Sequence, residues 1–302
     1  MTDPAPGTRV VVRYRLPEGS TPPLTDVIGR LDSAGDTLVV QPESGEAVTI
    51  PRDRVVVVKA LAARPIRNSE IRNLESAAAH AWPGVEQDWL DGWLLRAADG
   101  LTLRGNSAVP VRPDASEASL PDIERWYRDR GLTPQLSLPD RVFRPPSGWT
   151  LTDAAVVLTR PLADEPAPRD AVTTTTPDDR WLAHHPRYDA PAGVPLLTSV
   201  VDGVAAFLRL DDAATARVAV TSAPDGRRWT GITAVTTHPD RRRQGWARRI
   251  CTEACAWGAE NGATHGYVQV EESNAAALRL YDGLGFGEHH RYRYAEPDPS
   301  SS

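Results

Sequence analysis

One strand–turn–helix segment constrains the fold of this sequence more than any other part. Its β-branched residues predict a strand over Thr230–Thr236, and apolar residues at helical spacing predict a helix from about Gly245 to Asn261. Five arginines crowd the start of that helix, at positions 241, 242, 243, 248 and 249. Because helix N-termini bind anions, and because Gly245 and Ala247 let the backbone approach a ligand, the segment predicts a phosphate-binding turn. The alternative, a solvated Arg-rich helix entrance, explains the charges but not the spacing of the small residues.

The composition limits which classes of protein this chain can represent. Of its 302 residues, 40% are hydrophobic and 25% are charged, which is typical of a protein that folds around a core. The net charge of −6 argues against a nucleic-acid-binding protein, and no apolar run reaches the ~20 residues that cross a membrane. The first residues lack the features of a signal peptide, so we expect a cytoplasmic protein. Cys251 and Cys255 match neither a zinc pattern nor a C-x-x-C redox motif, so we expect buried apolar residues and no metal site.

The first 62 residues predict a small all-β domain. Runs of β-branched residues, separated by turn signals, predict strands at residues 8–15, 24–32, 37–41, 47–51 and 54–59. The pattern resembles SH3-like or Tudor-like barrels, in which a closed sheet leaves no exposed edges. Tyr14 is the only aromatic residue here, which argues against a methyl-lysine cage or a groove for proline-rich peptides.

The turn before the predicted helix resembles a known cofactor-binding motif. Arg242-x-x-Gly245-x-Ala247 is similar to the acyl-CoA-binding signature, R/Q-x-x-G-x-G/A, of the GNAT superfamily of N-acetyltransferases. The resemblance implies that acetyl-CoA binds here as co-substrate, with its pyrophosphate on the amides of the turn. Its pantetheine arm would pair with the end of the preceding strand. The implied cofactor-binding residues are Val235, Thr236, Thr237, Arg242, Arg243, Gln244, Gly245, Trp246, Ala247 and Arg248.

A second block downstream strengthens the resemblance. From Gln269 to Phe286 the sequence is similar to the closing strand, the Asn-led helix and the Tyr…Leu-Gly-Phe ending of the same superfamily. By this resemblance, Asn274 would hydrogen-bond the pantetheine or the acyl group, and Tyr281 would donate a proton to the departing CoA thiolate. Asn274 also fits a plain helix cap, and Tyr281 also fits a core aromatic residue beside Phe286.

A separate group is needed to take a proton from the acceptor amine, and the resemblance does not supply a residue for it. Relatives that acetylate protein N-termini often carry a Glu where Gln269 stands, and Gln cannot accept a proton. Glu271 lies two residues further along the same predicted strand and therefore on the same face, with Glu272 as the second candidate. Either carboxylate could instead be a solvated charge, and a water chain could replace a protein base. For His238, beside the phosphate turn, we favour a structural role.

The middle of the chain, residues 66–162, resembles an incomplete half of a GNAT protein. A helix from Asn68 or Ser69 to Ala81, a hairpin turning at Asp99-Gly100, a helix over Asp122–Arg130, and strands at 135–138 and 154–159 are predicted. The segment lacks the acyl-CoA signature, so we expect it to line the acceptor pocket. The candidate substrate-binding residues are Trp89, Trp93, Arg104, Asn106 and Gln269, with a core position as the alternative for Trp93.

These observations predict an α+β protein with three domains. They are an SH3-like barrel at 1–62, a degenerate GNAT-like α/β half at 66–162, and a catalytic GNAT domain at 181–297 with a mixed, splayed sheet and flanking helices. A linker at 163–180 and a tail at 298–302 complete the chain.

The predicted function is acetyl-CoA-dependent N-acetyl transfer, directly to a primary amine of a small molecule or of a protein or peptide. Tyr281 and Glu271 are the predicted catalytic residues. The alternative is an acyl-CoA-binding sensor or assembly protein without catalysis. In either case the barrel is a candidate surface for contact with another protein or a second subunit.

Overall fold

The computed structural model of the protein describes residues 4–42, 45–61, 64–162, 165 and 170–298. The chain forms two compact units, Met1–Pro65 and Ile66–Ser302, each with its own apolar core. Within the described residues, no helix is both long enough and apolar enough to span a bilayer.

The first unit is a five-stranded antiparallel sheet with one small core. Its strands are β1 (Arg9–Arg15), β2 (Leu24–Ala34), β3 (Thr37–Pro42), β4 (Val48–Pro51) and β5 (Val55–Ala60). They pair in the order β4-β3-β2-β1-β5. Alternate residues of β1, β2 and β3 point inward, as at Val10 and Val12, which are completely buried. The prediction of a small all-β N-terminal domain is confirmed, and the strands agree with the predicted ones to within a few residues.

The second unit combines helices with a large mixed sheet. Its helices are α1 (Asn68–Ala81), α2 (Leu120–Arg128), α3 (Asp179–Leu182), α4 (Gly193–Thr198), α5 (Trp246–Glu260) and α6 (Ala275–Asp282). Its strands are β6 (Glu86–Leu90), β7 (Trp93–Ala97), β8 (Val109–Pro110), β9 (Leu136–Pro139), β10 (Trp149–Pro161), β11 (Val172–Thr174), β12 (Val204–Leu210), β13 (Ala214–Ser222), β14 (Arg228–Thr237), β15 (His265–Glu271) and β16 (Gly287–Pro297). Eight of them form one sheet in the order β11-β12-β13-β14-β15-β10-β16-β9, and β6, β7 and β8 form a small separate sheet.

Helices cover both faces of the large sheet. Val268 and Val270 of β15 pack with α5 in one core, whereas Tyr267 packs with α1 in another. Because successive strand residues point to opposite faces, α5 and α1 lie on opposite sides of the sheet. The sheet is mixed because β14 and β15 pair in parallel among antiparallel neighbours.

The predicted middle and C-terminal segments share this sheet. Strand β10, from the predicted middle segment, pairs with β15 on one side and with β16 on the other, and β9 pairs with β16. The boundary drawn at 163–180 therefore does not separate two compact units. Part of that predicted linker is also structured, because β11 is the edge strand beside β12 and α3 begins at Asp179. Its residues 163–164 and 166–169 lie outside the described residues, as does the predicted tail from residue 299.

The hairpin predicted at Asp99-Gly100 lies instead at Asp91-Gly92. Both dipeptides have positive φ angles, so both are suited to a tight turn, but β6 and β7 pair across the first of them. After Gly100 the chain does not return directly as a strand, and it pairs with β7 only at the two-residue strand β8. The Asn106 side chain accepts hydrogen bonds from the backbone N–H groups of Ala98 and Gly100 and holds a short 3₁₀ turn in place.

Helix α5 packs closely against strand β14 where Gly258 meets Thr230, which leaves no room for a larger side chain at position 258. A Cβ added at Gly258 would lie 2.6 Å from Cβ of Thr230, which is completely buried. We expect Gly258→Ala to lower the free energy of unfolding by about 1–3 kcal/mol, although alanine is the better helix former. All nine tryptophans belong to the second unit, so tryptophan fluorescence during denaturation measures its unfolding. Gly287→Ala is the control, because its added Cβ meets no atom within 4 Å. Equal effects of the two changes would contradict the steric account.

Candidate active site

The two central strands of the sheet separate along their length. Parallel pairing of β14 with β15 extends from Trp229↔His265 to Gly231↔Tyr267, and β14 continues unpaired on that side to Thr237. Beyond Gly231, β14 carries an irregularity opposite β13, and Ala234 has a φ of +49°. Such bulges turn a strand away from its neighbour and leave backbone groups unpaired. The end of β14 is therefore an open strand edge facing the gap.

A cavity of about 550 Å³ occupies this opening. Four elements supply most of its wall: the end of β14, the end of β15, helix α6 and strand β16. The loop 100–104 and the residues around Tyr188 close the remaining side. Of the sequence-predicted site residues, those that line the cavity are Val235, Gln269, Glu271, Asn274, Tyr281 and Arg104.

The predicted phosphate turn lies between β14 and α5. Gly245 immediately precedes the helix with a φ of +84°, and no side chain caps the helix N-terminus. A Cβ at Gly245 would meet nothing within 4 Å, so the space in front of the first helical N–H groups is open. Arg243 also has a positive φ, of +60°, which shapes the turn. These groups can bind an anion through backbone N–H groups and the helix dipole.

The arginines of this turn have different contacts. Arg241, Arg242 and Arg243 have exposed side chains. Arg248 donates a 2.8 Å hydrogen bond to the Gly283 carbonyl and so ties α5 to the end of α6. Arg249 pairs with Asp170 at 3.0 Å and stacks on Trp246. The Gln244 side chain donates to the Asp240 carbonyl within the turn.

Asn274 and Tyr281 lie on helix α6 and both reach the cavity. The Asn274 Oδ1 atom accepts a 3.1 Å hydrogen bond from the Ala277 N–H and so caps the helix. Tyr281 is 5% exposed and packs edge-on against Phe286, with its hydroxyl in hydrogen-bonding contact with the Cys251 thiol. Burial raises the pKa of Tyr281 well above its ordinary value, so the phenol keeps its proton at neutral pH.

The two cysteines lie on α5, beneath the cavity. Both are buried, and burial raises the pKa of Cys251 to about 12 and that of Cys255 to about 11. Neither thiol forms a thiolate readily, so neither suits a covalent mechanism. Within the described residues, no group of three or more His, Cys, Asp or Glu side chains could hold a metal ion.

The candidate bases follow one another on β15. The strand continues to Glu271, which places Gln269 and Glu271 on the same face, and both line the cavity. Glu272 forms an ion pair with Arg291 instead. His238 accepts a hydrogen bond at Nδ1 from the Asp240 N–H, at the entrance of the phosphate turn.

Gln269 contacts a buried, hydrogen-bonded Glu75–His290 pair that was not predicted from the sequence. Its Nε2 atom lies 3.5 Å from Oε1 of Glu75 on α1, and the same oxygen accepts a 2.9 Å hydrogen bond from Nε2 of His290. Both partners are nearly fully buried. No local pattern could identify them, because 215 residues separate Glu75 from His290 along the chain.

Three predicted substrate-facing residues lie away from the cavity. Trp93 is completely buried in a core with α2, and its Nε1 donates to the Ser116 carbonyl. Trp89 stacks under Arg112 and lines a different, 390 Å³ cavity. The Asn106 side chain forms hydrogen bonds with the backbone of the loop 98–102 and so holds that loop in place. Part of this loop lines the 550 Å³ cavity.

Four aromatic residues complete the cavity wall without having been singled out from the sequence: Trp82, Tyr188, Tyr292 and Tyr294. Tyr292 and Tyr294 are two residues apart on β16, so their side chains face the same side of the sheet. That alternation was the available signal, but only the strand order places β16 beside β10.

Comparisons with known proteins agree with this architecture. A family model described as "Probable histone acetyltransferase Rv0428c C-terminal" matches residues 68–295, and one described as "Rv0428c N-terminal Sm-like domain" matches residues 4–59. The chain is 43% identical over 293 residues to the probable histone acetyltransferase Rv0428c of Mycobacterium tuberculosis, covering 96% of this chain and 95% of the relative. It is 25% identical over 248 residues to the uncharacterized N-acetyltransferase YobR of Bacillus subtilis, covering 73% of this chain and 97% of YobR.

A solved structure shows the same fold. The GCN5-related N-acetyltransferase from Kribbella flavida superposes with a TM-score of 0.54 at 19% identity, covering 78% of this chain and 96% of that one. Strands β14 and β15 separate along their length, and the turn after β14 leaves the N-terminus of α5 open. These features agree with the family matches. The chain belongs to the family of Rv0428c, a family of N-acetyltransferases with the GNAT fold.

Proposed function

We propose that this protein transfers an acetyl group from acetyl-CoA directly to a primary amine, of a small molecule or of a protein. The observation that carries the proposal is the cavity at the β14–β15 opening, which is lined by Tyr281 and Asn274 from α6 and its N-cap and by Glu271 from β15. The cavity extends from the end of β14, the strand that leads into the phosphate turn, to a wall of aromatic side chains that can contact an acceptor. Acetyl transferases of this fold share the donor site and vary the acceptor walls.

The residues at the donor side fit acetyl-CoA. The open N-terminus of α5 and the left-handed Gly245 leave room for a pyrophosphate on backbone N–H groups. The unpaired edge of β14, from Val235 to Thr237, offers N–H and C=O groups to the amides of a pantetheine arm. Acetyl-CoA supplies an activated thioester, so the protein has to bind, orient and move protons.

Tyr281 is the proposed general acid of this reaction. As the amine nitrogen bonds to the acetyl carbon and the carbon–sulfur bond breaks, the Tyr281 hydroxyl donates its proton to the departing sulfur. The same hydroxyl regains a proton from solvent when CoA leaves. Its place on the cavity wall supports this role, and the phenol carries the proton that a general acid has to donate at neutral pH.

Glu271 is the proposed acceptor of the amine proton. It is exposed at the cavity mouth on the same strand face as Gln269, so it can reach the amine directly or through water. Asp153 on the adjacent strand adds a second negative charge to the same cavity, which favours a cationic amine.

We expect Glu271→Gln to lower kcat/KM about tenfold at neutral pH, since the amide cannot accept a proton and water replaces it only in part. The measurement is steady-state release of the CoA thiol. Glu272→Gln is the matched control, because it makes the same change one residue away in a side chain committed to Arg291. Equal rates for the two variants would remove Glu271 from the mechanism.

The experiment that tests the proposed activity is CoA-thiol release with a panel of amines, amino acids and lysine-containing peptides. Histone peptides belong in the panel because Rv0428c is named a probable histone acetyltransferase. The proposal predicts saturable, acceptor-dependent release with a stoichiometric acetylated product. Acetyl-CoA binding without turnover on any acceptor would instead favour an acyl-CoA sensor.

A further inference from the structure

Three arginine side chains approach one another beneath the acceptor wall of the cavity. Arg96 and Arg217 are almost completely buried, and both are close enough to Arg104 for electrostatic repulsion between the guanidinium groups. Arg96 donates to the carbonyls of Ser107 and Trp82, and Arg217 donates to two further backbone carbonyls. These two guanidinium groups are therefore held in place by the fold.

Arg104 differs from the other two because it lines the cavity. Its Nε atom is buried and has no hydrogen-bond partner. Across the described part of the chain, no carboxylate forms an ion pair with its guanidinium group, and the neighbouring polar side chains are those of Tyr292 and Tyr294. A half-buried guanidinium group without a counter-charge is costly, and an anionic ligand would compensate it.

The surroundings of Arg104 do not supply that counter-charge. Burial raises the pKa of Tyr294 and of Tyr267, so both phenols stay neutral. Glu75 lies near Arg96, but its Oε1 atom already accepts hydrogen bonds from His290 and Gln269. This single carboxylate beside Arg96 cannot balance three guanidinium groups, so the net charge of the cluster is positive.

The negative groups of the cavity lie elsewhere on its wall. Asp153 and Glu271 belong to the paired strands β10 and β15, and neither lies within ion-pair distance of Arg104. The cavity therefore presents separate acidic and basic groups in one space of about 550 Å³, which suits a small ligand that carries both charges.

We propose that Arg104 binds a carboxylate of the acceptor, so that the substrate is a small primary amine that also bears a carboxylate. Because Nε is buried, the two terminal nitrogens of the guanidinium group are the donors that can offer a carboxylate two parallel hydrogen bonds. The amine then points toward Glu271 and the thioester. This inference rests on the proposed acetyltransferase activity and narrows its acceptor to amino-acid-like molecules.

The test compares free L-amino acids and short ω-amino acids with their carboxamides as acceptors. We expect wild-type kcat/KM to be about 10- to 100-fold higher for the acid of a pair than for its amide. Arg104→Gln should raise KM for the acids about tenfold or more, with little change for the amides, and Arg104→Lys should restore part of the preference. Arg112→Gln is the matched control, because Arg112 stacks on Trp89 outside this cavity.

A readout that does not depend on turnover is ligand protection against thermal unfolding. The acids should stabilise the wild type more than their amides do, and this difference should disappear in Arg104→Gln. Acetylation of acids and amides at equal rates, an equal loss for both in Arg104→Gln, or the absence of stabilisation by any acid would overturn the inference. Acetylation of amides or peptides alone would do so while leaving the acetyltransferase activity in place. No acetylation of any amine would instead refute the proposed function.

Discussion

Replacing Tyr281 with phenylalanine is expected to lower kcat for acetyl transfer by about 100- to 1000-fold. The change removes one hydroxyl and keeps the ring, which packs edge-on against Phe286 with 5.6 Å between ring centroids. The loss arises because the departing CoA sulfur no longer receives a proton from a buried phenol. Since the ring and the helix cap at Asn274 remain, the Kd for acetyl-CoA should change by no more than about twofold.

The measurement separates chemistry from binding. Steady-state CoA release gives kcat, and calorimetric titration with acetyl-CoA gives the Kd. Tyr14→Phe, the same change in the first unit, should leave both values unchanged. If Tyr281→Phe binds acetyl-CoA normally and retains wild-type turnover, Tyr281 is a packing residue and the assignment of the general acid is wrong.

Replacing Gly245 with alanine is expected to weaken acetyl-CoA binding by about 100-fold while leaving kcat at saturation close to wild type. Two effects combine at this position. A left-handed φ costs an alanine about 1–2 kcal/mol, and a side chain at the residue before the helix hinders the close approach of a pyrophosphate to the first helical N–H groups.

Gly226→Ala isolates the first of these effects. Gly226 has a φ of +82° in the exposed turn between β13 and β14, and its added Cβ also meets no atom within 4 Å. Both variants should lose similar stability, but only Gly245→Ala should raise the Kd for acetyl-CoA. A similar Kd for the two variants would mean that the turn before α5 does not hold the cofactor.

The local features of this fold could be predicted from the sequence. The strand–turn–helix around Gly245 was placed to within two residues at each end, because a β-branched strand, a glycine and a helical apolar period agree with one another. The strands of the first unit were predicted because runs of β-branched residues alternate with turn signals along the chain. Gln269, Asn274 and Tyr281 were found through the resemblance and Glu271 through the two-residue period of the strand, and all four line one cavity.

The features that were missed depend on which elements become neighbours. Strand β10 was predicted, but nothing in its apolar run shows that it inserts between β15 and β16 and joins two segments into one unit. The two Asp-Gly turns have equivalent sequences, and the hairpin was assigned to the wrong one because the polar strand β6 carries no apolar alternation. Trp89 and Trp93 were expected at the acceptor pocket because the middle segment resembles a GNAT half, whereas Tyr292 and Tyr294 line the cavity because of the strand order.

The central claim, that the β14–β15 opening is an acetyl-CoA-dependent active site, is tested most directly by a crystal structure with acetyl-CoA. It predicts the pyrophosphate on the backbone N–H groups between Arg243 and Arg248, and the thioester sulfur within hydrogen-bonding distance of the Tyr281 hydroxyl. The acetyl group should face Glu271 across the cavity. Acetyl-CoA bound at another surface, or with its thioester away from Tyr281, would contradict the account.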